Sequence, residues 1–135
     1  MQAFQWPLRV YYEDTDAAGV VYYANYLKFM ERARTEWLRQ LGFEQTHLRQ
    51  QEHVVFVVRT IAVDYLKPAL LNDLLSITSE LNQLGKAKMS LTQAVLRQAD
   101  PLCTATVKVG AVDIQTLKPR PFPLKLYQAL VNMAP

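Results

Sequence analysis

The chain has 135 residues, of which 50% are hydrophobic and 20% charged, and its formal net charge is +3. This length and balance predict one globular domain over residues 1–135 and exclude a disordered chain. The longest apolar runs are too short to cross a bilayer, so we expect no stable insertion into a membrane. A single cysteine, Cys103, rules out an intrachain disulfide and favours a reducing, cytoplasmic location.

The charged residues do not form the clusters that nucleic acids or metals require. Basic residues are spread along the chain without the interleaved aromatic residues of a nucleic-acid groove, so nucleic-acid binding is not expected. His47 and His53 lack the spacing of metal ligands, and the acidic stretch Glu13–Asp16 lacks the later glutamate of a calcium-binding loop. We therefore expect neither a metal nor another cofactor.

The first predicted elements are a strand and a long helix. Apolar or aromatic residues alternate with more polar ones near the start of the chain, which predicts a strand with one buried face: Phe4, Trp6, Leu8, Val10 and Tyr12. After an acidic loop, apolar residues recur at helical spacing from Tyr26 to Leu41, and Gly42 follows as a helix stop.

Four more strands are predicted in the second half of the chain, and the links between them are short enough to favour antiparallel pairing. They are Val54–Leu66, Leu74–Leu84, Lys86–Gln98 and Leu102–Asp113. The polar connector Glu44–Glu52 has room for a short helix, and Leu124–Met133 for one or two helical turns. One long helix covers only part of such a sheet, so we expect a second copy of the chain to cover the rest, in a homodimer or homotetramer.

The acidic loop before the helix carries the residues best suited to chemistry. It holds three carboxylates, Glu13, Asp14 and Asp16, and no histidine, cysteine or serine nucleophile. A carboxylate beside the N-terminal amides of a helix suits activation of a water molecule or direct attack on an activated acyl group. The alternative is structural, since aspartates before a glycine often brace a turn.

The same loop resembles a known family. The run from Arg9 to Tyr26, followed by Glu31–Glu36, resembles the hotdog-fold acyl-CoA thioesterases. It is most similar to the YbgC-type branch of the 4-hydroxybenzoyl-CoA thioesterase family, which is associated with the Tol–Pal envelope system. The likeness covers nearly the whole chain and continues through Asp64–Ala69, Asp73–Leu75, Asp113 and Lys118–Pro121.

This resemblance implies an α+β hotdog fold, in which five antiparallel strands wrap one long central helix and active sites lie at a dimer interface. It implies that Asp16 is the catalytic carboxylate and that Gly19 and Val20 belong to the substrate-binding loop. The thioester carbonyl would lie against the helix N-terminal amides around Tyr23 and Ala24, where the helix dipole favours a developing oxyanion. Whether Asp16 attacks the carbonyl or deprotonates a water stays open.

One departure from the branch concerns Tyr23, where many members have histidine. Tyrosine keeps a hydrogen-bonding hydroxyl but does not titrate near neutrality. We therefore expect Asp16 to be the main catalytic residue and Tyr23 to assist it without acting as an acid or base. Packing is the alternative for Tyr22 and Tyr23, and it is the favoured interpretation for Tyr26.

Two lysines further along the chain are candidates for binding phosphate groups. Lys86 and Lys88 share one face of a predicted strand after Gly85, as phosphate-binding lysines of a coenzyme A site would. They equally suit an exposed, charged strand face.

The resulting prediction is an acyl-CoA thioesterase that hydrolyses a thioester to a free acid and coenzyme A. One alternative is a thioesterase for acyl groups held on acyl carrier protein. Another is a non-catalytic module that binds such carriers in envelope lipid metabolism. A hydratase is less favoured, because enoyl thioester hydration generally uses an Asp–His pair that this loop lacks.

Overall fold

The computed structural model of the chain describes residues 3–135, in which five strands form one antiparallel sheet. The strands are β1 (Phe4–Arg9), β2 (Val54–Tyr65), β3 (Leu74–Leu84), β4 (Lys88–Arg97) and β5 (Asp100–Asp113). Their order across the sheet is β1-β3-β4-β5-β2. The long helix is α1 (Asn25–Gln40), a short α2 (Gln45–His47) continues as a π-helical turn (Leu48–Glu52), and α3 is Leu124–Met133.

The core forms where α1 lies against the concave face of the sheet. The apolar residues of α1 recur every three or four positions, and the buried ones are Tyr26, Phe29, Met30, Ala33, Trp37 and Leu38. Alternate residues of β3 face them and are also buried: Leu75, Ile77, Ser79 and Leu81. One long helix wrapped by five antiparallel strands confirms the predicted α+β hotdog fold.

Several predicted strand boundaries differ from the structure, and at two of them local hydrogen bonds bend the chain. β1 ends at Arg9 and not at Tyr12, since the Asp14 carboxylate accepts a 2.8 Å hydrogen bond from the N–H of Tyr11 and closes a 3-10 turn. β4 begins at Lys88 and not at Lys86, since the Gly85 N–H donates a 2.8 Å hydrogen bond to the Lys88 carbonyl.

The C-terminal helix is longer than the one or two turns predicted. α3 has ten residues and buries Leu126 and Leu130 completely in the same core as α1. The oligomer prediction assumed that α1 is the only helix covering the sheet. That assumption is wrong, because α3 packs into the same core. None of the helices in residues 3–135 is long and apolar enough to span a membrane.

Strand β2 forms one border of the sheet and pairs only with β5. Several of its apolar side chains are exposed, with Val58 47% and Tyr65 48% exposed. The other side of β2 thus presents unpaired backbone groups together with apolar surface, which is the combination that favours pairing with another strand.

Candidate active site

Asp16 lies in a tight loop that the backbone closes on itself. Its N–H donates to the carbonyl of Val20 at 2.9 Å, and its own carbonyl accepts from Gly19 at 3.0 Å. Gly19 has a φ of +80°, a conformation that glycine adopts without strain. The Asp16 Oδ1 atom accepts a 2.9 Å hydrogen bond from the N–H of Ala18, whereas no described residue donates to Oδ2. The exposed carboxylate therefore keeps one oxygen available for a ligand.

The acidic loop is bonded directly to the start of α1. The carbonyl of Asp14 accepts hydrogen bonds from the N–H of Tyr22 at 3.0 Å and from the Asn25 side-chain amide at 2.9 Å. Asn25 is the first residue of α1. These bonds hold the carboxylate loop beside the helix N-terminus, as the sequence predicts.

The N-terminus of α1 has no side-chain cap. Ala24 precedes the helix and offers no capping atom, and the first turn contains no acidic residue. Neither Tyr23 nor Ala24 donates its backbone N–H to another described residue. The positive end of the helix dipole is thus left uncompensated and can stabilise an anion.

Tyr23 belongs to an aromatic cluster beside these amides. It is 60% exposed, and its ring centre lies 4.9 Å from that of Tyr22 and 6.0 Å from that of Tyr65. Hydrogen bonding and Coulombic interaction with Tyr23 raise the pKa of Tyr22 above its ordinary value. The Tyr22 hydroxyl therefore stays protonated near neutral pH and can serve as a neutral hydrogen-bond donor.

Tyr26 has a structural role, which confirms the packing interpretation. It is 3% exposed, and its hydroxyl accepts a 3.0 Å hydrogen bond from the N–H of Ala69. Burial is the first cause that raises its pKa. Its ring centre lies 5.6 Å from that of Tyr65, so Tyr26 is the buried member of the aromatic cluster.

The loop of residues 66–73, which we call the supporting loop, is bonded to the acidic loop through its backbone. Val20 forms a bridge with Leu70, and the N–H of Val21 donates to the carbonyl of Ala69 at 2.9 Å. The supporting loop is itself braced by Asp73 and Arg97, whose side chains form an ion pair of 2.8 Å. Neither residue was predicted to belong to the site. Asp73 lies within the family resemblance, but no sequence signal marked Arg97.

The two candidate phosphate-binding lysines are exposed but lie far from Asp16 in the same chain. On β5, Lys88 pairs with Gly110, whereas Tyr65 of the aromatic cluster pairs with Cys103. At about 3.3 Å per residue, these seven positions correspond to about 23 Å. A single chain therefore brings Asp16, Gly19, Val20, Tyr23 and Ala24 together in one loop, and leaves Lys86 and Lys88 at the other end of the sheet.

The lysine end of the sheet carries a further positive charge, which the sequence analysis did not associate with the two lysines. Lys86, Lys88 and Arg59 line a groove of about 510 Å³. The Arg59 side chain lies over Gly110, where an added Cβ would come within 3.1 Å of its Cδ atom. Gly110 thus leaves room for the arginine. The expectation that both lysines share a strand face is wrong, since Lys86 lies in the turn before β4.

The remaining thiol and acidic groups do not form a reactive site. Cys103 is fully buried in β5, and burial raises its pKa to about 11. A protonated, inaccessible thiol is a poor nucleophile. Within residues 3–135, no group of three or more histidine, cysteine or acidic side chains is arranged to hold a metal ion.

Residues 10–130 match the thioesterase-like superfamily. The chain belongs to this family. It is 48% identical over 130 residues to the acyl-CoA thioesterase YbgC of Haemophilus influenzae, and the matched region covers 96% of each chain. It is 47% identical over 121 residues to the acyl-CoA thioester hydrolase YbgC of an Escherichia coli O6:H1 strain, covering 89% of this chain and 90% of the relative. The predicted similarity to the YbgC-type branch is confirmed.

A solved structure supports the same family assignment. The probable thioesterase from Bartonella henselae superposes with a TM-score of 0.87 at 37% sequence identity. The match covers 90% of this chain and all of the other. The two proteins therefore share their architecture over most of this chain.

Proposed function

We propose that the protein hydrolyses acyl-CoA thioesters to a free acid and coenzyme A, with Asp16 as nucleophile or general base. The observation that carries this proposal is the juxtaposition of a carboxylate oxygen that has no described partner with a helix N-terminus whose leading amides are unbonded. The YbgC relatives, which are named as acyl-CoA thioester hydrolases, support it.

In the proposed reaction, the thioester carbonyl oxygen accepts hydrogen bonds from the N–H groups of Tyr23 and Ala24. Negative charge develops on this oxygen during attack, and the helix dipole and the two donors stabilise it. The thiolate of coenzyme A leaves without a strong general acid, because thiols have pKa values of about 8.5. The exposed Tyr23 side chain provides a hydroxyl that can donate a hydrogen bond to the substrate.

Two routes are open to Asp16. As a nucleophile, its carboxylate attacks the carbonyl carbon, expels the thiolate and leaves a mixed anhydride that water then hydrolyses. As a general base, it takes a proton from a water molecule whose oxygen attacks the same carbon. Both routes consume one water and give one acid and one thiol. Incorporation of labelled oxygen into Asp16 in a single turnover would distinguish them.

We further propose that two copies of the chain complete each site. Antiparallel pairing of two β2 strands places the Tyr65 end of one copy beside the Val54 end of the other, because a two-fold axis reverses the strand. This arrangement moves Lys86 and Lys88 of the second copy toward Asp16 of the first, where they bind the phosphates of coenzyme A. The exposed apolar side chains and unpaired backbone of β2 support this arrangement.

The test is release of free thiol by the purified protein from a panel of short, long and aromatic acyl-CoA substrates. We expect turnover with at least one member and no turnover by the Asp16→Asn variant. Failure of the wild-type protein to release thiol from any member would refute the proposal and favour a non-catalytic binding module.

A thioesterase for groups held on acyl carrier protein is the second candidate, since the exposed cations Arg59, Lys86 and Lys88 suit an acidic carrier. Comparing kcat/KM for the same acyl group on coenzyme A and on the carrier decides between the two. A cytoplasmic location and a link to the Tol–Pal envelope system stay predictions.

A further inference from the structure

We propose that Asp73 and Arg97 are positioning residues, whose ion pair holds the acidic loop and the start of α1 in register for catalysis. The inference rests on the catalytic role proposed for Asp16. It assigns a function to a pair of side chains that lie outside the acidic loop and that do not contact the reacting atoms.

The ion pair connects the middle of the supporting loop, residues 66–73, to its C-terminal end. The Asp73 Oδ2 atom accepts a 2.8 Å hydrogen bond from Arg97 Nη1 and a 2.9 Å hydrogen bond from the N–H of Leu70. The same Arg97 nitrogen donates to the carbonyl of Pro68 at 3.4 Å, and the N–H of Asp73 donates to the carbonyl of Leu70 at 3.1 Å. One carboxylate oxygen and one guanidinium nitrogen thus connect three positions of this loop, which are Pro68, Leu70 and Asp73.

Asp73 remains ionised in this position. Partial burial raises its pKa, but the hydrogen bonds from Leu70 and Arg97 and the positive charge of Arg97 outweigh that effect, and its pKa lies below the ordinary value. The pair is partly shielded from water, with the side chain of Asp73 19% exposed and that of Arg97 33% exposed. Removing the guanidinium leaves a half-buried carboxylate with one donor fewer.

A short series of backbone bonds leads from this pair to Asp16. Leu70 is the bridge partner of Val20, and the N–H of Val21 donates to the carbonyl of Ala69 at 2.9 Å. The carbonyl of Val20 in turn accepts the N–H of Asp16 at 2.9 Å. A displacement of the supporting loop therefore moves the residue that closes the Asp16 turn.

The supporting loop also contacts the helix that supplies the amides. The N–H of Ala69 donates to the hydroxyl of Tyr26, which lies in the first turn of α1. Adjacent backbone groups of one loop thus hold the carboxylate loop on one side and the helix start on the other. The distance between nucleophile and oxyanion donors depends on this loop, and a misplacement of about 1 Å in such a geometry can lower a rate about 100-fold.

The test compares Arg97→Gln, Arg97→Lys and Asp73→Asn with the wild-type enzyme in steady-state hydrolysis. We expect Arg97→Gln and Asp73→Asn to lower kcat about 5- to 50-fold while KM changes by less than about two-fold, because positioning acts on the transition state. Arg97→Lys should recover most of kcat, since a single nitrogen of Arg97 donates to both Asp73 and Pro68 and an ammonium restores that charge and donor. Melting temperatures within about 4 °C of wild type are expected for a partly exposed ion pair.

The matched control is Arg39→Gln, which removes an arginine of another ion pair at the opposite end of α1. It should leave kcat unchanged. Wild-type kcat in folded Arg97→Gln and Asp73→Asn, or a rise in KM alone, would overturn the inference. So would kcat losses in Arg39→Gln as large as those in Arg97→Gln, or failure of Arg97→Lys to recover activity.

The outcome of Asp16→Asn separates the two levels of the proposal. An inactive Asp16→Asn together with fully active Arg97 and Asp73 variants refutes only the positioning role. An active Asp16→Asn refutes the catalytic assignment itself. If Arg97→Gln does not fold, Asp73→Asn decides whether kcat falls, and Arg97→Lys is still expected to keep most of kcat.

Discussion

The guanidinium of Arg34 on α1 donates a 2.9 Å hydrogen bond to the side-chain oxygen of Gln93 on β4. Gln93 is fully buried, and its amide nitrogen donates to the carbonyl of Met30 at 3.0 Å and to the Ser79 hydroxyl at 2.9 Å. Arg34 forms no ion pair with a described carboxylate, and burial lowers its pKa. A single neutral amide therefore connects the long helix to two strands of the sheet.

Gln93→Leu should destabilise the fold. The substitution leaves the Arg34 guanidinium and the Ser79 hydroxyl without this buried partner, and one such loss costs about 1–3 kcal/mol. The free energy of unfolding in urea measures it. Gln83→Leu, at an exposed strand position, should change that free energy by less than about 0.5 kcal/mol. Equal effects of the two substitutions would show that the buried network contributes no more than a surface residue.

Asp16→Asn should keep the fold and lose most hydrolytic activity. The amide retains a hydrogen-bond acceptor for the N–H of Ala18, but it neither attacks a carbonyl nor takes a proton. Loss of general acid–base catalysis alone lowers rates by about 10²- to 10⁴-fold. Glu13→Gln removes an exposed carboxylate from the same loop and should retain wild-type turnover. A folded Asp16→Asn protein with near wild-type kcat contradicts the catalytic assignment.

The oligomer prediction now rests on the free border of β2. Sedimentation at micromolar concentration should give a mass at least twice the 15.5 kDa of the chain. Val58→Lys introduces a charge at an apolar, 47% exposed position of this border and should lower both the mass and the activity. Val131→Lys, at a 48% exposed valine of α3, should change neither. A fully active monomer would contradict the two-copy site.

The double change Lys86→Ala plus Lys88→Ala should raise KM for acyl-CoA and leave kcat nearly intact. Exposed charges contribute ~0.2–1 kcal/mol each, so we expect an increase of about 2- to 30-fold. The salt dependence of KM should also flatten, because surface attractions are screened. A truncated thioester without the nucleotide should be hydrolysed equally well by both proteins.

Lys125→Ala is the matched control for this pair, since Lys125 is an exposed lysine on α3 and outside the groove. It should leave KM and its salt response unchanged. If the double variant behaves like Lys125→Ala, then Lys86 and Lys88 are only a solvated part of the surface.

The local elements of this fold are readable from sequence because periodicity records which face is buried. The α1 pattern from Tyr26 to Leu38 reports burial in each turn, and the loop around Asp16 carries a specific motif. Sequence reasoning fails where distant residues meet. Nothing in the spacing of Asp73 and Arg97 indicates that they form an ion pair. The sequence also does not reveal that Lys86 and Asp16 lie toward opposite ends of the sheet, which are about 23 Å apart.

The uncapped start of α1 also has a consequence for the stability of the helix. A side chain that accepts hydrogen bonds at a helix N-terminus commonly adds about 0.5–2 kcal/mol to stability. No side chain provides that gain at Ala24, and the amides of Tyr23 and Ala24 stay unoccupied in the described chain. If the substrate carbonyl accepts hydrogen bonds from these amides, they are satisfied only during turnover. This helix end would then show a trade-off in which resting stability is reduced so that binding energy is available to the reaction.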